Sequence, residues 1–180
     1  MSQKPPELER LIPGETLAER VRSLGGEISR DYRGRCPHLI GVLKGAWVFM
    51  ADLIRALDLP VTVDFLSIAS YGGDTQSSGE VKIIKDLDAP IEGRDVLVIE
   101  DILDTGRTIQ FLKELLEARK PRSVRVVALL DKASRRVAPV QADYVGFRIP
   151  DAFVVGYGLD FDQKFRELPD ICVLRSAASR

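Results

Sequence analysis

Apolar residues in this chain follow two rhythms, one helical and one nearly continuous. Leu17, Val21, Leu24 and Ile28 recur every three to four positions, which predicts an amphipathic helix with a single buried stripe. Thr16 and Glu19 have the spacing of a capping box, so this helix is expected to open at Thr16. Gly25 and Gly26 interrupt the stripe, and consecutive glycines weaken a helix enough that a break is expected there. Phe49, Leu53 and Ala56, joined by Met50, Ile54 and Leu57, give a second helix with a broad apolar face that Pro60 ends. A third helix is expected from near Thr108, with Ile109, Leu112 and Leu116 on one side.

Between these helices lie short runs suited to strands. Residues 38–43 (HLIGVL), 95–99 (DVLVI), 124–130 (VRVVALL) and 171–174 (ICVL) are largely apolar, as in strands buried on both faces. Val61, Val63 and Phe65 alternate with polar neighbours, and residues 81–84 and 142–149 add further strands. Strand and helix alternate through the middle of the chain. This predicts an α/β fold with a mainly parallel central sheet flanked by helices, whose ligands gather at the carboxyl ends of the strands. The first eight residues are expected to be loosely attached. Residues 70–80 (SYGGDTQSSGE) form the most loop-like segment.

Composition narrows the chemistry. A chain of 180 residues fits one domain spanning 1–180, and 45% hydrophobic residues can fill a core. The 26 basic and 27 acidic side chains nearly cancel, which gives no broad footprint for nucleic acid or an anionic membrane. No run approaches the ~18 apolar residues of a membrane span, so none is expected, and the start, MSQKPPELER, is polar and carries no apolar h-region. Cys36 and Cys172 stand far apart, so a cytoplasmic protein with reduced thiols is expected. His38 is the only histidine, which argues against a Ser-His-Asp triad and a histidine-rich zinc site. His38 itself reads as structural or exposed. Acid–base work falls to carboxylates, lysines or tyrosines.

The most informative stretch is residues 96–108, VLVIEDILDTGRT. An apolar strand is followed by Glu100 and Asp101, then by Asp104, the turn Thr105-Gly106-Arg107-Thr108 and a helix. Such a turn makes a phosphate cup. Gly106 lets the backbone approach a ligand, and the first helical N–H groups lack internal partners and favour an anion. The Thr105 and Thr108 hydroxyls can donate further hydrogen bonds. Glu100 and Asp101 repel phosphate but suit sugar hydroxyls, directly or through a bound Mg²⁺. The plainer alternative is a strand–turn–helix in which Asp104 caps the helix.

VLVIEDILDTGRT resembles the phosphoribosyl-pyrophosphate motif of the type I phosphoribosyltransferases. Residues 41–53 (GVLKGAWVFMADL), 70–83 (SYGGDTQSSGEVKI), 128–136 (ALLDKASRR) and 142–169 (ADYVGFRIPDAFVVGYGLDFDQKFRELP) resemble the hypoxanthine-guanine branch, in order. The resemblance implies the fold of that family, with a small hood from the chain termini over residues 150–180 and a flexible lid at 70–80. It implies transfer of 5-phosphoribosyl from phosphoribosyl pyrophosphate to N9 of a 6-oxopurine, with Mg²⁺ as cofactor and a homodimer or homotetramer as the assembly.

The resemblance also implies residue roles. Asp104 is the catalytic proton partner, and Glu100, Asp101, Asp104, Thr105, Gly106, Arg107 and Thr108 hold the phosphoribosyl group. Lys132 donates to O6 of the purine, Phe153 stacks on its face and the Val154 backbone binds its edge. Asp160 serves the purine end and, with Glu100 and Asp101, the metal. Lys44, Gly45, Ser70, Tyr71 and Arg166 bind pyrophosphate, and the peptide bond before Lys44 can be cis. Judged by residue type alone, Lys132 and Arg166 would be surface cations and Phe153 and Val154 strand core. The basic cluster Arg119, Lys120, Arg122 and Arg125 reads as a solvated helix end. Two related readings are an RNA-binding pyrimidine-operon attenuator and a xanthine-guanine enzyme. Asp104, where attenuators carry tyrosine, and the FVVGYGLD segment argue against the first.

Overall fold

The largely apolar runs assemble into a six-stranded sheet in the computed structural model, which describes residues 7–70 and 81–175. The strands are β2 (His38–Leu43), β3 (Thr62–Ser70), β4 (Val81–Lys85), β5 (Asp95–Leu103), β6 (Ser123–Asp131) and β7 (Tyr144–Arg148), in the spatial order β4-β3-β2-β5-β6-β7. All neighbours pair in parallel except β4, which runs antiparallel on one edge. Successive side chains on a strand face opposite ways. Leu39, Leu97, Ile99, Val127 and Leu129 therefore pack with helices α1 (Gly14–Asp31) and α2 (Trp47–Ala56) on one side. Ile40, Val42, Val96, Val98, Val126 and Ala128 pack with α3 (Arg107–Glu117) on the other. Burial from both sides is why these strands read as apolar runs rather than as alternation.

A second sheet, of order β1-β9-β8, joins the two ends of the chain. It comprises β1 (Glu7–Ile12), β8 (Val154–Val155) and β9 (Ile171–Arg175), paired antiparallel. Glu7 and Leu8, expected to be loosely attached, pair with Arg175 and Leu174. The carboxylate of Asp170 ties this sheet to α1: it accepts the Gly14 amide at 2.7 Å and pairs with Arg10 at 2.8 Å. That bond replaces the expected capping box. The helix starts at Gly14 with Pro13 as its N-cap, so Thr16 already lies inside the first turn and makes no cap.

Other expectations are corrected by packing. α1 runs unbroken through Gly25 and Gly26, because Gly25 is where α2 crosses it. A Cβ at Gly25 would lie 2.5 Å from the Ala56 carbonyl oxygen. β5 continues past Ile99 to Leu103, so Glu100 and Asp101 belong to the strand itself. The basic cluster is largely exposed, as expected, with some of its side chains also paired: Arg119 with Asp86 at 2.9 Å, Arg122 with Asp95 at 3.0 Å, and Arg125 over the Tyr32 ring. His38 is buried, with Nδ1 2.8 Å from Thr62 Oγ1.

Asp64 braces the base of the β3–β4 pair. It is buried, accepts the amides of Phe65 and Asp88 at 2.7 Å each, and lies 3.4 Å from Lys85 Nζ. Burial by itself raises the pKa of this carboxyl, but the two amides and Lys85 outweigh it and hold the group below its ordinary value. The expected lid at residues 70–80 lies outside the described residues except for Ser70, the last residue of β3.

The two glycines of α1 should respond oppositely to alanine. Gly25→Ala is expected to destabilise the protein by about 1–3 kcal/mol, because the methyl meets backbone rather than a movable side chain. Gly26→Ala meets only the tip of Arg30, at 3.7 Å, and should stabilise by about 0.5–1 kcal/mol through helix propensity. Urea unfolding of the two variants checks this, and equal signs would refute the crossing as the cause.

Candidate active site

The carboxyl ends of β2, β5 and β6 open into a cleft of about 600 Å³. From β5 come Asp101 and Ile102, with Asp104 just after it, and from the end of β2 and the turn that follows come Leu43, Lys44 and Gly45. Lys132 and Arg135 follow β6, and the far wall is built from residues 151–166. Among the described residues there are larger hollows, one of about 930 Å³ along β7 and one of about 660 Å³ lined by Arg22, Arg30, Arg33 and Arg35. Neither holds adjacent buried acids, so donor chemistry rather than size selects the cleft.

Glu100 and Asp101, neighbours on β5, are the unusual feature. The Glu100 side chain is buried and its Oε2 has no hydrogen-bond partner. Burial drives its pKa well above the ordinary carboxylate range, and the charge of Asp101 adds to the effect. Asp101 faces the cleft, with Oδ1 accepting the Ile102 amide at 2.7 Å. Burial pushes its pKa up to about 6 against the lowering by backbone amides and Arg166, while Asp160 raises it further. A Cβ on Gly45 would stand 1.5 Å from Asp101 Oδ2, so only glycine lets the two strand ends meet here. The adjoining Leu43–Lys44 peptide bond is cis.

Beyond Asp101 the chain turns through Asp104, Thr105 and Gly106 into α3. The N-cap is Gly106, at φ 83°, and no side chain caps the helix, so Asp104 is not the cap of the plainer alternative. The amides of Arg107, Thr108 and Ile109 donate to no acceptor among the described residues. Thr105, Gly106, Arg107 and Thr108 continue round the turn from the cleft rather than lining it. The turn is cinched from behind. Thr105 O accepts the amides of Val137 and Ala138 at 3.0 and 3.1 Å, and the Arg136 guanidinium donates to Leu103 O, to Asp104 O and to the Asp131 carboxylate. Arg136 and Asp131 were not among the sequence candidates.

The remaining candidates divide between the two ends of the cleft. Lys132 is buried at 5% exposure, which excludes the surface-lysine reading. Asp104 Oδ1 lies 3.1 Å from Arg135 Nε, without the angles of a hydrogen bond, and Arg135 also reaches Asp151 at 3.5 Å. Phe153 is 53% exposed and stands edge-to-face with Phe161, while Val154 is buried in β8. At the other end Asp160 and Arg166 pair at 2.8 Å, and Arg166 donates to Gly158 O at 2.7 Å. Lys44 Nζ reaches Gln163 Oε1 at 3.4 Å. Tyr71 lies outside the described residues. Arg135, Asp151 and Gln163 were missed because an isolated polar residue in a loop carries no periodic or motif signal.

The chain matches the family model described as a phosphoribosyl transferase domain over residues 8–162. It is 54% identical over 167 residues to the hypoxanthine-guanine phosphoribosyltransferase of Bacillus subtilis, covering 93% of each chain. It is 48% identical over 165 residues to that of Streptococcus thermophilus, covering 92% of each. Among solved structures, it superposes on a hypoxanthine phosphoribosyltransferase from Staphylococcus aureus with TM-score 0.89 and 48% identity, covering 93% of this chain and 91% of that one. A Bacillus anthracis hypoxanthine-guanine phosphoribosyltransferase gives TM-score 0.90 and 46% identity, with 94% and 100% covered.

The raised acids fix the sign of a pH effect. Folded, metal-free protein keeps a proton on Asp101 that the unfolded chain releases, so stability falls as pH rises from about 4 to about 6. Asp101→Asn is expected to stabilise the chelator-treated protein by about 1–3 kcal/mol at about pH 8 and by almost nothing near pH 3. Urea midpoints at the two pH values test this; equal shifts would exclude a desolvated acid.

Proposed function

The chain belongs to the phosphoribosyl transferase family, and from that premise we propose that it is a purine-salvage glycosyltransferase. It joins hypoxanthine or guanine to the ribose 5-phosphate of phosphoribosyl pyrophosphate, giving IMP or GMP and pyrophosphate. The observation that carries this reading is the adjacent acids on β5, Glu100 buried and Asp101 facing the cleft, with a buried lysine and an acid–arginine pair also lining that cleft.

N9 of the base bonds to C1 of the ribose as the bond from C1 to pyrophosphate breaks, and positive charge develops on the sugar. Catalysis needs two oriented substrates, a screened leaving group and a place for one purine proton. The turn Thr105-Gly106-Arg107-Thr108 takes the 5-phosphate on its unpartnered amides. Glu100 and Asp101 lie at the ribose hydroxyls. Their hard oxygens fit Mg²⁺: the buried Oε2 of Glu100 has no partner, and a cation would offset the burial that raises the pKa of both groups. Glu100, Asp101 and, from the opposite wall, Asp160 would hold the ion, which would screen the pyrophosphate charge when bound.

Asp104 is the proton partner beside the base. In the free protein Arg135 stands next to it, and a purine N–H takes that place on binding. Lys132 donates to O6, which favours 6-oxopurines over adenine, whose 6-amino group is itself a donor. Its burial makes an unpaired O6 site costly, so the contact discriminates. Phe153 covers the ring face and the Val154 backbone reads its edge. Lys44, Gly45 and Arg166 bind pyrophosphate with Ser70 and Tyr71, which begin the lid over residues 70–80. The domain spans 1–180 and acts as a cytoplasmic homodimer or homotetramer.

Incubation with phosphoribosyl pyrophosphate, Mg²⁺ and hypoxanthine, guanine, xanthine or adenine tests the reading. Nucleotide is expected with the first two, and none from any base would reject it. Asp104→Asn should lower kcat by about 100-fold or more while KM for phosphoribosyl pyrophosphate moves less than about threefold. Equal losses in both would remove the proton role. Lys132→Ala should lower kcat/KM for hypoxanthine by about 100-fold; unchanged base kinetics would cancel its assignment.

A further inference from the structure

Tyr157 lies behind the far wall of the cleft, where no substrate reaches it. Its ring is buried in the core, at 8% exposure. Its hydroxyl donates to Asp52 Oδ2 of α2 at 2.5 Å, across 105 residues of sequence. The other oxygen of Asp52 pairs with Arg55, so each carboxylate oxygen has its own partner. Burial and the charge of Asp52 raise the Tyr157 pKa far above the ordinary tyrosine value, which keeps the hydroxyl a donor.

The backbone carries this side chain at a cost. Gly156, Tyr157 and Gly158 all take left-handed φ, of 97°, 50° and 99°. The two glycines are explained by space: a Cβ would stand 2.0 Å from Asp170 O at Gly156 and 2.3 Å from Gly45 O at Gly158. Tyr157 takes the same backbone region with a Cβ, which is unfavourable for an aromatic residue. Glycine would relieve that cost, and phenylalanine would fill the core without a hydroxyl to satisfy. Neither would bond α2.

That bond joins two halves of one site. Asp52 belongs to the helix that the Lys44-Gly45-Ala46 turn leads into, and Tyr157 belongs to the wall that carries Asp160 and Arg166. The Tyr157 N–H donates to Leu168 O at 2.8 Å, the Gly158 N–H donates to Arg166 O at 3.0 Å and the Arg166 guanidinium donates to Gly158 O at 2.7 Å, so the turn and Arg166 move together. Phe153 and Val154 are held differently, by the ladder to β9: Val154 pairs with Val173, and Phe153 O accepts the Leu174 amide at 2.9 Å. We propose that Tyr157 and Asp52 form a positioning pair for the polyanionic leaving group, their bond setting the separation of Arg166 from Lys44 across the cleft. The proposal rests on the reading that Lys44 and Arg166 bind pyrophosphate.

Calorimetry with Mg²⁺ and inorganic pyrophosphate, beside steady-state kinetics in each substrate, tests the pair at a temperature where every variant is folded. Tyr157→Phe is expected to raise the pyrophosphate Kd and the KM for phosphoribosyl pyrophosphate by about fivefold or more, with KM for the purine moving less than about twofold. Asp52→Ala should do the same, and the double variant should be no worse than about twice either single one, because both remove one bond. Asp52→Asn keeps an acceptor for the hydroxyl and should stay within about twofold of the unaltered protein. If Tyr157→Phe does not fold, the contrast between Asp52→Ala and Asp52→Asn makes the same distinction. Unchanged pyrophosphate affinity in Tyr157→Phe and Asp52→Ala would overturn the proposal and leave the assignment of Lys44 and Arg166 standing. So would an equal loss toward the purine, the mark of general loosening, or losses that multiply in the double variant. An unaltered protein that binds no pyrophosphate would remove the assignment itself, and the proposal with it.

Discussion

Two adjacent carboxylates at the end of a fully covered central strand impose the main constraint on this molecule. β5 is flanked by β2 and β6 and packed on both faces, so Glu100 and Asp101 have little water to share. Such a pair is costly wherever it ionises. The fold does not relieve the cost with a nearby lysine or arginine on the strand itself: Asp101 is compensated by backbone amides, and by a cation only through Arg166 across the cleft. Gly45 packs against the second of them, where a Cβ would stand 1.5 Å from Asp101 Oδ2.

The other charged groups of the cleft are handled differently. Asp160 is neutralised by Arg166, Asp104 is approached by Arg135, and Lys44 rests on the Gln163 amide. The partners of Asp104 and Lys44 are exposed or held by a long contact, whereas Arg166 and Asp160 are only 18% and 26% exposed and pair at 2.8 Å. The Arg136–Asp131 pair is of another kind. It is largely shielded from solvent and holds carbonyls of the turn, so it fixes geometry and is not available for exchange. The cleft thus combines weakly compensated acids on β5, charged groups paired across it, and one fixed clamp behind the turn.

Legibility in the sequence followed burial and motif density. β2, β5, β6 and β9 were readable from their apolar runs, and α2 and α3 from their apolar faces. The helix-start and helix-break signals in α1 misled because both were local. Asp170, far along the chain, supplies the amide acceptor that Thr16 and Glu19 had suggested, and Ala56 of another helix explains Gly25. β1 was missed because ELERLI shows little alternation and is stabilised by β9 at the opposite end of the chain. At the site, residues in the 96–108 segment could be read as chemistry from their order alone. Lys132 and Arg166 needed the resemblance, since nothing local tells a buried or paired cation from a solvated one. Arg136 and Gln163 were invisible, because their meaning lies in contacts that cross the fold.

The junction between the two sheets explains why so much of the site depends on such crossings. β5 supplies the acids, but the far wall of the cleft comes from the segment between β8 and β9, whose sheet is completed by β1 from the other end of the chain. This wall is positioned by a few specific contacts. The backbone at Gly158 lies so close to the Gly45 carbonyl that a Cβ would stand 2.3 Å from it, Arg166 holds Gly158 O, and Asp170 grips the start of α1. The same glycine loop that makes room for Asp101 therefore also receives the wall that carries Asp160 and Arg166. A shift of the small sheet would move the charges opposite Asp101 without disturbing the acids themselves. The cleft is in this way divided mechanically: the central sheet places Glu100 and Asp101, and the small sheet places the charges that face them.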